Sequence, residues 1–159
     1  MNMKSAVTLL VFVALAFLVG AVGGAVTQSA MGEWYPSLAK PLLTPPDRVF
    51  PVVWTILFLT MSVAAWLAWR EGWRDPVAVK RALRLHFSQL LVNMGWSVVF
   101  FGMKSPLWAL PVVGLLWYLT AKMAREYHAI SRPAFWLTIP YLLWIGVALY
   151  LNVMIVMLN

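Results

Sequence analysis

The chain of 159 residues has no cysteine and few charged side chains of any kind. It therefore has no disulfide and no thiolate metal site, although the absence of cysteine leaves the redox compartment undecided. Only 11% of the residues are charged, whereas 63% are apolar. A soluble domain of this length would need far more polar surface around its core. The composition therefore indicates a membrane protein.

Carboxylates are scarce, and none lies in the middle of an apolar run. The five are Glu33, Asp47, Glu71, Asp75 and Glu126. Pumps and ion-coupled transporters use buried carboxylates to relay protons or bind sodium, so this class is disfavoured. No internal repeat supports an inverted-repeat transporter.

The two histidines, His86 and His128, are not at metal-pair spacing and have no obvious nucleophile partner. His86 is a candidate haem ligand, but a hydrogen-bonded histidine near a helix end is the favoured interpretation. No general acid–base pair stands out either, so an ordinary enzyme active site is not indicated.

Apolar segments long enough to cross the hydrocarbon, which takes about 20 residues, occur five times. They cover approximately 5–27, 49–69, 83–103, 106–125 and 133–157. A helix satisfies the backbone polar groups of such a segment within the segment itself, as lipid requires. The prediction is thus a single all-α membrane domain over 1–159, a bundle of five transmembrane helices. The first run has some signal-peptide features, but its apolar stretch is longer than a typical h-region, which favours a retained span.

The basic residues are distributed unevenly between the two sides that five spans would create. Lys40, Arg48 and Lys104 lie on one side, and the other nine of the twelve basic residues lie on the side of the N-terminus. The positive-inside rule places the N-terminus in the cytoplasm and the C-terminus outside, with a bacterial inner membrane as the expected location. The net charge of +7 then reflects topology and anionic-lipid contacts, not nucleic-acid binding.

The first connection is rich in proline and aromatic residues. It reads Trp34-Tyr35-x-x-Leu38-x-Lys40-Pro41, then Pro45-Pro46, then Phe50-Pro51-x-x-Trp54. Each proline fixes its own φ and biases the preceding residue toward extended geometry. The pattern predicts a stiff, folded lid on the outer face that leads Trp54 into the second span.

The third span carries a polar and aromatic stripe. His86, Gln89, Asn93 and Trp96, with Phe100 further along, have a spacing that places them on one helix face. Amides inside a membrane must find partners. Two interpretations stay open: hydrogen bonds between helices that hold the bundle together, or Gln89 and Asn93 facing a ligand cavity.

The fifth span carries a second stripe, and tryptophans occur several residues inside three spans. Tyr141, Trp144, Ala148 and Asn152 fall on one face, where the small Ala148 leaves room for a flat ligand or a neighbouring backbone. Trp54, Trp96 and Trp144 could line one pocket, and core packing is the alternative for each of them.

Taken together, these motifs resemble the TspO/MBR family, the tryptophan-rich sensory proteins and mitochondrial translocator proteins (peripheral benzodiazepine receptors). The matching motifs are Trp34-Tyr35 through Trp54-Thr55, Gln89-Leu90-x-x-Asn93-x-x-Trp96 through Gly102, and Pro140-Tyr141-x-x-Trp144 through Asn152. They come in the family's order and spacing and cover nearly the whole chain.

The resemblance implies a five-helix bundle whose first loop folds over a ligand pocket. It implies binding of tetrapyrroles such as protoporphyrin IX and haem, as ligands and not as a required cofactor, and of sterols and benzodiazepine-type drugs. The implied pocket residues are Trp54, Asn93, Trp96, Trp108, Trp144, Ala148 and Leu151, with Trp34 and Tyr35 in the lid; Gln89, Phe100 and Tyr141 join them from the two stripes. Lys40 or Arg48 of the lid is expected to meet a porphyrin propionate.

The expected function is that of a membrane receptor or translocator for tetrapyrroles, linked to stress, oxygen or light. The alternative from the enzyme class is light-dependent oxidative breakdown of porphyrin, in which Trp54 and Trp144 would react. A third alternative is a structural helper of a partner membrane protein.

Two departures from the family pattern bear on partners. The family's C-terminal cholesterol motif has a basic residue after the span-five tyrosine, but none follows Tyr150 here. The small pair that packs family dimers falls at Arg84 and Ser88, and arginine prevents close backbone approach. Gly20-x-x-x-Gly24 is the alternative contact for a homodimer.

Overall fold

A computed structural model describes residues 3–159, and this part of the chain is helical without any strand. The helices are α1 (Met3–Ala30), α2 (Trp34–Ser37), α3 (Val49–Arg70), α4 (Pro76–Ser97), α5 (Pro106–Ile130) and α6 (Arg132–Leu158). A 3₁₀ turn, Glu71–Trp73, follows α3, and a π-helical turn, Val98–Gly102, continues α4.

Local sequence signals explain where three of the long helices begin. Pro76, Pro106 and Pro133 each lie in the first turn, where a missing N–H costs nothing. Asp75 also caps α4, because its carboxylate accepts a hydrogen bond of 2.9 Å from the backbone N–H of Ala78.

The five long helices pack as a closed ring. Helix α1 contacts α3, α3 contacts α6, α6 contacts α5, α5 contacts α4, and α4 returns to α1. The central core combines Leu57, Phe58 and Met61 of α3 with Val113 of α5 and Ile145 of α6. Helix α5 thus lies on the far side of α4 and α6 from α1, which decides what each helix can contribute to an internal cavity.

Four helices of the described part are long and apolar enough to cross a membrane. They are Met3–Ala30, Val49–Trp73, Pro106–Ile130 and Arg132–Leu158. These four correspond to predicted spans one, two, four and five. Their length and apolar composition indicate an integral membrane protein. Helix α4, the expected third span, is long enough but does not meet the same criterion, since Lys80, Arg81 and Arg84 open it.

Two polar contacts identify the end of the bundle that carries most of the basic residues. The indole N–H of Trp66 donates to the carbonyl and the hydroxyl of Ser5, at 2.9 and 3.0 Å. On the other side of α4, Arg81 forms an ion pair of 2.7 Å with Glu126 of α5. The start of α1, the end of α3, the start of α4 and the end of α5 therefore share one end.

The first connection, residues 31–48, folds against the opposite end of the bundle. It contains the one-turn helix α2, from which Tyr35 is buried with its ring 5.5 Å from that of Phe101. Trp34 contacts Phe100 with ring centroids 5.8 Å apart. Trp34 and Tyr35 therefore pack the first connection against the rings of Phe100 and Phe101.

The π-helical turn aligns an aromatic cluster that the sequence pattern did not reveal. The N–H of Met103 donates to the carbonyl of Val98 at 2.8 Å, which adds one residue to the turn. Such turns re-aim side chains and are frequent at functional sites. The turn brings Phe100 and Phe101 together, with ring centroids 4.7 Å apart.

The two glycines of the Gly20-x-x-x-Gly24 pair have different surroundings. A Cβ at Gly20 would lie 2.6 Å from the ring of Phe58, whereas one at Gly24 would meet nothing within 4 Å. Gly20 therefore serves packing inside the chain, between α1 and α3. The homodimer contact stays a prediction.

Candidate ligand-binding site

A cavity of about 630 Å³ lies inside the bundle at the end nearest the first connection. Its walls come from α1, α3, α4 with its π-helical turn, and α6, and the first connection adds Met31, Tyr35 and Asp47. No residue of α5 lines it, because α5 packs behind α4 and α6. The volume is within the range that proteins use for small molecules and cofactors.

Three tryptophans from three helices line this one cavity, which we name the tryptophan cavity. Trp54 comes from α3, Trp96 from α4 and Trp144 from α6. The ring of Trp54 lies 5.5 Å from that of Phe58, and the ring of Trp144 lies 5.7 Å from that of Phe50. These contacts hold the indoles in place while part of each surface faces the cavity.

Trp96 is oriented by a hydrogen bond. Its indole N–H donates to the side-chain carbonyl of Asn152 at 3.1 Å, and the Asn152 amide donates to the backbone carbonyl of Pro106 at 2.8 Å. This chain of bonds joins α4, α6 and the start of α5. Because the donor of Trp96 is already used, the residue presents its apolar face, and not a free N–H, to the cavity.

A buried polar network lies directly behind the tryptophans. The Asn93 amide donates to the hydroxyl of Tyr141 at 3.0 Å, and that hydroxyl donates to the carbonyl oxygen of Gln89 at 2.6 Å. The Gln89 amide lies 3.6 Å from the sulfur of Met61. Both interpretations of the α4 stripe therefore apply, since Gln89 bonds between helices and Asn93 does so while also lining the cavity.

Most of the sequence-predicted site residues come together here. The lining includes Tyr35, Trp54, Asn93, Trp96, Phe100, Trp144, Ala148 and Leu151. Gln89, Tyr141 and Trp34 lie one layer behind, where they contact residues that do line the cavity. The structure thus places nearly the whole set at or directly behind the wall of one cavity.

Trp108 is the exception, because it does not line the cavity. It lies on α5 and its side chain is 69% exposed, whereas its neighbour Ala109 is fully buried against the first connection and α6. Consecutive residues in a helix point about 100° apart, so the position that buries Ala109 turns Trp108 outward.

His86 is not the hydrogen-bonded helix-end residue that the sequence suggested. It is fully buried in α4 beside the rings of Phe12 and Phe87, at 5.9 and 5.4 Å, and neither ring nitrogen has a hydrogen-bond partner within the described residues. It does not line the cavity. The alternative interpretation, in which His86 ligates a haem iron, therefore does not fit this geometry.

The charged residue of the first connection that lines the cavity is an acid, whereas a lysine or an arginine was expected there. Asp47 is a lining residue, whereas Lys40 and Arg48 are not. Lys40 instead lies 4.6 Å above the ring of Tyr35 and donates to carbonyls of the first connection.

Burial raises the pKa of the Tyr35 phenol, and the Asp47 carboxylate raises it further. Tyr35 therefore remains a protonated donor at neutral pH.

Sequence reasoning missed the contribution of α1. Gly20, Gly23 and Thr27 line the cavity, and so do Phe58 of α3 and Ser97 of α4. A Cβ at Gly23 would lie 3.2 Å from the hydroxyl of Ser97, so a small residue keeps these helices close. The glycine spacing in α1 was the available signal, but it predicted helix packing and not a cavity wall.

The first connection is tied to the end of α6. The N–H of Ala39 donates to the side-chain carbonyl of Asn159 at 3.0 Å, and the Asn159 amide donates back to the carbonyl of Ala39 at 3.1 Å. Such a reciprocal pair positions the connection beside the cavity without a covalent link.

Asn159→Ala is expected to speed hydrogen exchange at the Ala39 amide about fivefold, because the variant removes a bond worth about 1 kcal/mol net. Hydrogen exchange followed by mass spectrometry measures this. Ser37→Ala is the control, since the Ser37 hydroxyl donates only to Trp34 within the same short helix. Unchanged exchange in Asn159→Ala would mean that this pair does not hold the connection.

The order and spacing of the cavity residues match those of a known protein family. A model of the TspO/MBR family matches residues 12–158, nearly the whole chain. The chain belongs to the TspO/MBR family. The tryptophan cavity is therefore the interior of a TspO/MBR bundle.

Curated TspO/MBR proteins from distant organisms are similar over most of their length. The tryptophan-rich protein TspO of Chlorobaculum tepidum is 39% identical over 98% of each chain. The tryptophan-rich sensory protein of Cereibacter sphaeroides is 38% identical over 91% of this chain and 90% of its own. The translocator protein of Bos taurus is 34% identical over 89% and 83%, respectively.

Proposed function

We propose that the protein is a membrane receptor or translocator that binds tetrapyrroles such as protoporphyrin IX and haem in the tryptophan cavity. The observation that carries this proposal is that three indoles from three different helices line one cavity of about 630 Å³. We further propose a regulatory role linked to stress, oxygen or light, which agrees with the names of the sensory and translocator relatives.

The chemistry of the lining suits a flat, mostly apolar ligand. Indole faces stack on aromatic macrocycles, and few polar groups are needed to orient them. Ala148, between the two α6 residues Trp144 and Asn152, leaves the space in which such a ring would lie. Asn93 supplies a side-chain amide at the cavity wall for a hydrogen bond to the ligand. Sterols and drug-like hydrophobic molecules of similar size would compete for the same space.

The carboxylate of Asp47 constrains the orientation of the ligand. A porphyrin propionate beside Asp47 would be repelled, so we place the propionates away from this side chain. The core of the macrocycle then lies against the indoles, and the cations of the first connection act on the ligand only if that segment moves. This replaces the expectation that Lys40 or Arg48 meets a propionate in the closed state.

We propose that α4, with its π-helical turn, is the fifth membrane-spanning helix and that residues 31–48 act as a lid. The amides of α4 are bonded or face the cavity, so they do not require lipid contact. The distribution of basic residues supports an inner-membrane protein with its N-terminus in the cytoplasm. The lid and the cavity then face outward.

The first test is a titration of the purified protein with protoporphyrin IX in the dark, following the Soret band and tryptophan quenching. The Trp54→Phe/Trp144→Phe/Asn93→Ala variant is expected to bind at least about tenfold more weakly, because it loses stacking area and the amide. Trp136→Phe is a matched control, since Trp136 is 64% exposed and outside the cavity.

Equal, non-saturating binding to parent and variant would contradict the proposal. It would indicate that the porphyrin merely partitions into detergent. The alternative of a structural helper for a partner membrane protein would then be favoured.

Light-dependent oxidative breakdown of porphyrin is the second candidate function, and the convergence of three oxidisable indoles on one cavity favours it. O₂ is the oxidant in this reaction: light-excited porphyrin would convert O₂ to a reactive oxygen species that oxidises the indole of Trp54 or Trp144, and the oxidised indole would in turn take electrons from the macrocycle. Illumination of the complex would then change the porphyrin spectrum irreversibly, and Trp54→Phe/Trp144→Phe would stop the change. Identical bleaching in the parent and the variant would exclude this role for the two tryptophans.

A further inference from the structure

A second cavity, of about 790 Å³, lies at the end of the bundle opposite the first connection. It is formed where α1 begins, α3 ends and α4 begins, so it belongs to the end that carries most of the basic residues. It shares no lining residue with the tryptophan cavity. A ligand at this second cavity is therefore independent of the proposed tetrapyrrole function.

The rim of this cavity carries four cations and no carboxylate among the described residues. They are Lys4 of α1, Arg70 of α3, and Lys80 and Arg84 of α4. The two ion pairs found within residues 3–159 use other basic residues, Arg74 and Arg81. Like charges at i and i+4, as for Lys80 and Arg84, destabilise a helix unless an anion is near. The rim is therefore an uncompensated positive site.

Trp66 links two of the helices that form the rim. Its indole N–H bonds to Ser5, and this ties the start of α1, where Lys4 lies, to the end of α3. The guanidinium of Arg70 lies 4.9 Å above the ring of Trp66, one turn further along α3. Trp66 thus joins the start of α1 to the end of α3 and brings Lys4 and Arg70 to one cavity.

The wall below the rim is apolar. It includes Trp69 of α3 and Leu83 and Phe87 of α4. The ring of Phe87 lies 5.9 Å from that of Phe12 in α1, and 37% of the Phe87 side chain remains exposed. One face of α4 carries Lys80, Arg84 and Phe87, which are spaced at i, i+4 and i+7. This face is therefore positively charged at the start of the helix and apolar further along.

This arrangement distinguishes a lipid from a free anion. A soluble phosphate would use the cations but leave the apolar wall uncovered, whereas a phospholipid satisfies both with its headgroup and its acyl chains. Basic pockets between membrane helices near the cytoplasmic surface are suited to anionic lipid headgroups. We infer that this cavity is a binding site for an anionic phospholipid, with the phosphate between Lys80, Arg84 and Arg70 and an acyl chain along Phe87.

The test is native mass spectrometry of the purified protein in neutral detergent, titrated with phosphatidylglycerol or with phosphatidylcholine. The parent is expected to retain phosphatidylglycerol preferentially. Lys80→Gln/Arg84→Gln should weaken its binding at least about tenfold, since each cation contributes to holding the anionic headgroup. Lys122→Gln/Arg125→Gln, which removes the same charge from the end of α5 outside the cavity, should change it less than about twofold.

Three outcomes would overturn the inference. Equal retention of the two lipids would indicate an apolar fit alone, and equal losses in the two variants would indicate only the general surface potential. Stabilisation of the protein against heat by inorganic phosphate, to the same extent as by phosphatidylglycerol, would indicate a free-anion site. If the α4 variant does not fold, Lys4→Gln/Arg70→Gln removes two charges from the opposite wall and decides the question in the same assay.

Discussion

Ala148→Trp is expected to reduce saturable binding of protoporphyrin IX at least about a hundredfold, the largest binding effect that we predict. Ala148 lines the tryptophan cavity of about 630 Å³, one turn after Trp144 on the same face of α6. An indole added there would occupy the space that a macrocycle needs, whereas the helix backbone need not move. The clash therefore acts on the ligand and not on the fold.

The same assay needs a control that adds the same side chain elsewhere on α6. Leu143 is 67% exposed and does not line the cavity, so Leu143→Trp should bind porphyrin as the parent does. Unfolding curves for both variants establish that they fold. Undiminished binding in a folded Ala148→Trp variant would mean that the porphyrin binds outside this cavity, and the proposed function would lose its structural basis.

Tyr141→Phe is expected to lower the free energy of unfolding by about 1–3 kcal/mol, because it removes the partner of the buried Asn93 N–H and of the buried Gln89 carbonyl oxygen. The Tyr141 hydroxyl accepts from Asn93 and donates to Gln89, and all three side chains are buried. Hydrogen bonds between membrane helices often contribute less than about 1 kcal/mol each, so the upper part of the range applies only if neither amide finds a new partner. Reversible unfolding in mixed micelles measures the difference.

Tyr118→Phe is the matched control for this substitution. Tyr118 is 56% exposed on α5, and its ring lies 5.9 Å from the ammonium of Lys122, a contact that phenylalanine retains. Removal of this hydroxyl should change stability by less than about 0.5 kcal/mol. If Tyr141→Phe is equally mild, the network behind the cavity does not stabilise the bundle. Weaker porphyrin binding in Tyr141→Phe would further indicate that the network orients Asn93.

Periodic patterns in the sequence identified most of the tryptophan cavity. The position of Trp54, Trp96 and Trp144 inside apolar segments left a shared pocket and core packing both open, and the family resemblance implied the pocket. In the structure all three line one cavity. Gln89 and Asn93 were expected either to bond or to face a ligand. The structure assigns the first role to Gln89 and both roles to Asn93.

The wrong predictions share a cause, because a periodic pattern states which residues share a face but not what that face contacts. Trp108 was expected in the pocket, but the packing order of the helices leaves α5 away from the cavity. His86 shares a stripe with Gln89, yet it meets the rings of Phe12 and Phe87 and no hydrogen-bond partner within the described residues. The lid cations Lys40 and Arg48 were expected at the ligand, but Asp47, and neither of them, lines the cavity.

By itself, the sequence determined the chemical class of this protein. Composition and the order of residues along the chain show the apolar segments, the small number of charges and the uneven distribution of lysine and arginine. They also show which tryptophans lie inside the spans. The tertiary structure alone decided which helices surround the tryptophan cavity, that α1 forms one of its walls, and that four cations converge at the opposite end. Those features depend on contacts between residues such as Ser5 and Trp66, which are far apart in the chain. Helix periodicity has no information about such distances.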